Sequence, residues 1–184
     1  MLGAIRERMN RATIRGLRWT SLVLTSHGPK TAEHAYGADF VGVLDLDLDT
    51  FDVTKGFLAQ AKRLEPNRRM KTSEFNRLKR QCRRMLRLSP MSYVFIYSRS
   101  RVAVVPALAV LHLQTRNPLD LYSRTIARFF EHHFESFIGD SRISTPDLNI
   151  LRRLGDDRRP SHVLYLRARQ PRHRSRRRLA FTAR

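Results

Sequence analysis

In 184 residues the chain has a single cysteine, Cys82. One thiol excludes an internal disulfide framework and a Cys-based zinc cage, both of which need several. Nowhere do apolar residues run for the roughly 18 positions that a spanning helix needs, so no membrane crossing is expected. The opening stretch MLGAIRERMNRATIRGLRW is basic, but it lacks the unbroken apolar core and small-residue cleavage site of a secretion signal. The expected location is the cytoplasm. Carboxylates are scarce too: 16 Asp plus Glu stand against 36 Lys plus Arg, for a formal net charge of +20. Such a chain attracts polyanions, because displacing counterions from phosphates drives binding. Nucleic acid is the partner this implies first.

What is present fits one soluble globular domain, with 41% hydrophobic and 28% charged residues. The charge is uneven. Residues 19–62 hold three basic and six acidic residues, whereas residues 63–101 hold twelve basic and two acidic ones, and residues 167–184 hold eight basic residues and no acid. An acidic segment inside a basic chain suits a protein that attracts phosphates broadly and keeps carboxylates in one place for a divalent cation. Solvated loops can also carry such acids.

Hydrophobic periodicity gives three regions: a basic amphipathic helix over 1–19, a folded domain over 20–166, and an arginine-rich tail over 167–184. Within the domain, strands are expected at 20–25, 40–48, 57–64, 91–98, 101–107 and 161–166. Helices are expected at 73–88, 119–138 and 146–154, with Thr72 or Ser73 capping the first and Gly139 ending the second. The predicted fold class is α/β, with a mixed central sheet flanked by helices. No internal repeat is evident.

The stretch from Glu33 to Lys62 carries the chemistry. Side chains alternate along a strand, so Gln60 and Lys62 share one face of 57–64. Asp39 opens the preceding strand, and a hairpin pairing of the two would bring it near Lys62. Glu33 can reach the same place from upstream. Two carboxylates and a Gln carbonyl are hard oxygen ligands suited to Mg2+ or Mn2+. Such an ion activates water and polarises a phosphodiester, and a nearby lysine can orient the water or stabilise developing charge.

These residues resemble the PD-(D/E)xK nucleases, in the Mrr-like variant that has Gln in place of the acid of the last motif. Gly37-Ala38-Asp39 matches the first acidic motif, Gln60-Ala61-Lys62 the second, and Glu33 the upstream acid. QCRRML at 81–86, SYVFIYS at 92–98 and VAVVPA at 102–107 are similar to the helix and strands that follow the catalytic strand. The likeness spans about residues 20–140. It departs from the commoner pattern in lacking a Pro before Asp39 and an acid at position 60. The resemblance implies a restriction-endonuclease-like fold and metal-dependent hydrolysis of nucleic acid, as a DNA endonuclease of restriction or defence. It further implies Asp39, Gln60 and Glu33 as metal ligands and Lys62 as activator of the nucleophile. Two alternatives stay open: a nucleic-acid-binding protein that keeps the fold without cleaving, and an interaction subunit of a larger defence complex. A homodimer is a further expected assembly.

Phosphate contacts are expected from the cations that follow the catalytic strand: Arg63, Arg68, Arg69, Lys71, Lys79, Arg80, Arg83 and Arg84. The ordinary alternative is a solvated basic face. Other residues read as structural. Asp45, Asp47 and Asp49 alternate on a strand without the glycine turn and terminal Glu of a calcium loop. Adjacent His132 and His133 point in different directions and read as one packing and one surface residue, and Cys82 falls on the apolar stripe of its helix.

Overall fold

The computed structural model describes residues 2–3, 6–7, 13–14, 17–25, 38–155 and 159–170. Its frame is an eight-stranded mixed sheet in the order β1-β2-β8-β3-β4-β5-β6-β7. The strands are β1 (Thr13–Ile14), β2 (Leu17–Thr25), β3 (Phe40–Leu48), β4 (Phe51–Arg63), β5 (Ser92–Tyr97), β6 (Val102–Pro106), β7 (Arg124–Thr125) and β8 (His162–Arg169). The helices are α1 (Thr72–Leu88), α2 (Ala107–His112), α3 (Ile126–Phe134) and α4 (Ile150–Arg153), with a 3-10 turn at Pro118–Asp120. The α/β class with a mixed, helix-flanked sheet is therefore as the sequence predicts.

β3 and β4 form a tight antiparallel hairpin in which Phe40 faces Ala59 and Leu48 faces Phe51. β4 then runs parallel to β5, and β3 parallel to β8. A parallel neighbour needs a crossover, and α1 supplies it between β4 and β5. Its stripe of Phe75, Leu78, Gln81, Cys82 and Met85 is buried against the sheet. Each apolar member of that stripe contributes about 1.5–3 kcal/mol by leaving water.

The two faces of the sheet differ in chemistry. The α1 face is mainly aliphatic: Val41, Leu58, Val94 and Ile96 meet α1, α2 and α4. On the other face Phe40, Phe57, Tyr93 and Phe95 meet Phe129 and Phe130 of α3. The Phe57 and Phe129 rings meet edge to face at 4.9 Å, an arrangement that adds to the area buried. Gly56 lets a second backbone come alongside: it exchanges both main-chain hydrogen bonds with Asp140, and a Cβ there would lie 2.4 Å from the Gly42 carbonyl.

Several predicted boundaries shift. The helix expected over 1–19 cannot reach its end, because β1 and β2 occupy Thr13–Ile14 and Leu17–Thr25; helical backbone is described only at residues 2–3 and 6–7. The sheet thus begins before residue 20. It also extends past 166, since β8 continues to Arg169, where Arg167 and Arg169 pair with Asp45 and Asp47 of β3. The tail from 171 lies outside the described residues. The long helix expected at 119–138 is reduced to Ile126–Phe134, because β7 adds Arg124–Thr125 to the sheet edge and α3 ends before Gly139. The helix at 146–154 shrinks to Ile150–Arg153. Lys71 is the N-cap of α1, and its N–H donates to Glu74 at 3.4 Å, so neither Thr72 nor Ser73 serves as the cap.

Candidate active site at the end of strand β4

β4 delivers Gln60 and Lys62 to the α1 face near its C-terminal end, where open α/β sheets commonly bind ligands. Asp39 precedes β3, and its backbone N–H donates to the Ala59 carbonyl at 2.8 Å, which holds it opposite Gln60. Its Oδ2 accepts the Ala61 N–H at 2.8 Å and a hydrogen bond from Gln60 Nε2. The carboxylate therefore meets β4 at Gln60 and Ala61, one step short of the Lys62 neighbour expected from hairpin geometry. On the other side the Asp39 carbonyl accepts the His162 N–H of β8 at 3.2 Å. Backbone bonds from two strands thus fix the base of the Asp39 side chain.

Lys62 is half-buried on the same face as Gln60. Burial pushes its pKa down, Asp39 pulls it back up, Arg77 lowers it, and Cys82 and Glu74 raise it. The ammonium is thus in the electrostatic reach of Asp39, and the first turns of α1 face it. Glu74 is a carboxylate of this neighbourhood that sequence reasoning missed. Its position in the first turn of the helix that follows β4 is the signal that could have found it.

Gln60 is 1% exposed, and among the described residues its Oε1 has no hydrogen-bond partner. An unpaired buried carbonyl oxygen costs on the order of 1–3 kcal/mol. Such an atom calls for a structural or functional reason. Asp39 and Gln60 fit the requirements of Mg2+ or Mn2+, which binds through one or two carboxylates and retains water. The amide turns its Nε2 toward Asp39, so ligation by both groups requires the amide to rotate. Among the described residues no three His, Cys, Asp or Glu side chains group into a metal cage. Glu33 lies outside the described residues.

The predicted phosphate contacts divide. Arg63, Arg68, Arg69, Lys71, Arg80 and Arg83 are exposed, and Arg84 is half-buried. Arg63 stands 3.8 Å from Glu65. Lys79 Nζ donates to the Leu113 carbonyl at 3.0 Å and lies 4.9 Å above the Phe75 ring, tying α1 to the end of α2. Cys82 is fully buried and its thiol is pushed up to about 12 by desolvation, which suits a core residue. His133 is buried against Phe57, while His132 is half-exposed, which divides the two as expected.

No protein-family model, curated protein or solved structure matches the chain.

Proposed function

We propose that this chain is a metal-dependent phosphodiester hydrolase of restriction-endonuclease-like fold that acts on nucleic acid, as a DNA endonuclease of restriction or defence. The observation that carries the reading is the meeting of Asp39 with Gln60 at the end of β4, with Lys62 on the same face and a run of exposed cations following. The net charge of +20 supports a phosphate-bearing substrate.

Asp39 and Gln60 would hold Mg2+ or Mn2+, with Glu33 as the upstream acid. Bound there, the ion lowers the pKa of a water and polarises the phosphodiester. Lys62 stands beside this pair, where a desolvated ammonium can orient the attacking water and stabilise charge that develops on the phosphate. Arg68, Arg69 and Lys71 follow β4 directly and would grip the flanking phosphates. A second reading, a nucleic-acid-binding protein that keeps this fold without cleaving, draws on the neutrality of Gln60, since a neutral ligand holds a cation less tightly than a carboxylate.

The test is cleavage of supercoiled plasmid DNA in Mg2+ and in Mn2+ by the native chain and by Lys62→Ala. The expected result is nicking or linearisation by the native chain, reduced at least about 100-fold in the variant, with DNA retention nearly unchanged. Equal cleavage by both would remove Lys62 from the chemistry. Salt-dependent DNA retention by the native chain with no cleavage in either metal would favour the second reading.

A further inference from the structure

Among the described residues Tyr122 and Phe137 are the most exposed large hydrophobic side chains, at 80% and 76%. Neither ring stands alone. The Arg124 guanidinium lies 5.8 Å from the Tyr122 ring centre, and Arg124 Nε donates to His132 Nδ1 at 3.2 Å. The His132 ring in turn meets Phe137 edge to face, with centroids 6.0 Å apart. Two outward-facing aromatic rings are therefore joined through a cation and an imidazole. This group spans the start of β7 and the end of α3.

The backbone fixes Phe137 in this position. α3 closes with Ser136 in the left-handed region, φ 70°, a conformation that costs a residue with a Cβ about 1 kcal/mol or more. Ser136 N–H donates to the His133 carbonyl at 3.3 Å and Phe137 N–H to the His132 carbonyl at 2.9 Å, the paired bonds of a Schellman cap. The cap turns Ile138 into the core and leaves Phe137 outside. The hydrophobic contact that accompanies such a cap is made with the His132 ring, and most of the Phe137 ring stays in water.

We infer that Tyr122 and Phe137 are a stacking platform for the bases of an unpaired nucleic-acid strand, with Arg124 supplying positive charge between them. The inference rests on the nucleic-acid reading above and deepens it by naming the strandedness of one contact. Base–aromatic stacking needs a free base face, which a duplex does not offer, and it is tolerant of sequence. An arginine beside the rings can stack on a base or meet a phosphate, and the chain's charge of +20 favours a polyanionic occupant over an uncharged one. The platform lies on the α3 side of the sheet, opposite the α1 face that carries Gln60 and Lys62. It therefore serves affinity for a strand and takes no part in bond cleavage.

The experiment measures binding of a fluorescein-labelled oligo-dT and of a duplex of the same length by anisotropy, using the full chain and the variant Tyr122→Ala/Phe137→Ala. Circular dichroism checks the fold of both, and Phe137→Tyr alone serves as a variant that keeps a ring. The expected result is a loss of oligo-dT affinity of on the order of 10- to 100-fold in the double variant, duplex affinity unchanged, and near-native oligo-dT affinity for Phe137→Tyr. Unchanged oligo-dT affinity in the folded double variant overturns the platform and leaves the nucleic-acid reading standing. Failure of the native chain to bind either oligonucleotide overturns both. A change in oligomeric state with oligo-dT affinity intact assigns the rings to a protein contact and overturns the platform.

Discussion

At the turn end of the β3–β4 hairpin, Asp45 and Asp47 each meet an arginine of β8, whereas at the open end Asp39 meets a side-chain amide and a backbone N–H. Asp45 lies 3.0 Å from Arg167 Nε and also accepts the Tyr165 hydroxyl; Asp47 lies 3.2 Å from Arg169 Nε. The parallel register places these residues side by side, and it offsets the repulsion of Asp47 for Asp52 directly across the hairpin. The turn-end carboxylates are thus neutralised by the fold itself. Asp39 instead stands beside a desolvated lysine and a buried carbonyl oxygen that has no partner among the described residues. Of the two ends of the hairpin, the open one, where a carboxylate stands with an unsatisfied amide oxygen and a half-buried lysine, is where a ligand has something to do.

The strongest way to break this comparison is to remove one acid from each end. Asp39→Ala should reduce metal-dependent cleavage at least about 100-fold, because it deletes the charged ligand. Asp45→Ala should leave cleavage unchanged and lower unfolding stability by about 2 kcal/mol, through loss of a charge-assisted pair. Urea unfolding and plasmid cleavage on both proteins check this, and interchanged effects would reverse the assignment of the two ends. A smaller effect sharpens the site end. Gln60→Glu places two carboxylates at hydrogen-bond distance, so the metal-free protein should melt earlier, and Mn2+ should raise its melting temperature more than that of the native chain. An equal Mn2+ shift in the two proteins would remove position 60 from the metal site.

The smallest effect asks whether every under-satisfied group must bind something. His133 is buried on the aromatic face, with Nδ1 2.9 Å from the Ile138 carbonyl and Nε2 without a partner among the described residues. Desolvation lowers its pKa to about 4, against an opposing pull from the Ile138 bond and a further lowering by Lys55. The unfolded chain takes up this proton near 6.5 and the folded one only near 4. Its contribution to stability is therefore complete above pH 6.5 and is lost progressively as pH falls to about 4. His133→Asn should show a shallower fall of the urea midpoint between pH 6.5 and 4. Equal slopes would mean that the imidazole does not stay neutral in the fold.

Much of the frame was legible because apolar pattern and burial coincide. β3 lies at 40–48 as the alternation indicates, and α1 differs from its predicted start by one residue, because its stripe and Pro90 bound it on both sides. β4 was read from 57 and in fact begins at Phe51. The residues Asp52, Thr54 and Lys55 hid this part, since its partner is the equally polar end of β3. β8 was cut short at 166 for the same reason: Arg167 and Arg169 look like the start of a tail until Asp45 and Asp47 are seen beside them. At the site, strand alternation placed Gln60 and Lys62 on one face correctly. The partnership of Asp39 with Gln60 and Ala61 depended on a hairpin register that sequence alone left unfixed, because the turn is two residues long and lies well ahead of Gly56. The aromatic pair at Tyr122 and Phe137 was hidden inside a stretch that reads as one long helix.

The parallel pairing of β3 with β8 also has a consequence for how the chain acquires its shape. Asp45 and Tyr165, neighbours across that pairing, are separated by 120 residues of sequence. A ribosome therefore completes the β3–β4 hairpin and the α1 crossover long before the strand that covers the other side of β3 exists. Until then β3, whose first five residues are buried in the finished fold, has an open edge, the kind of surface that recruits a second chain. Closing so long a loop is also slow, which places the docking of β8 after the hairpin, with its arginines arriving opposite the aspartates.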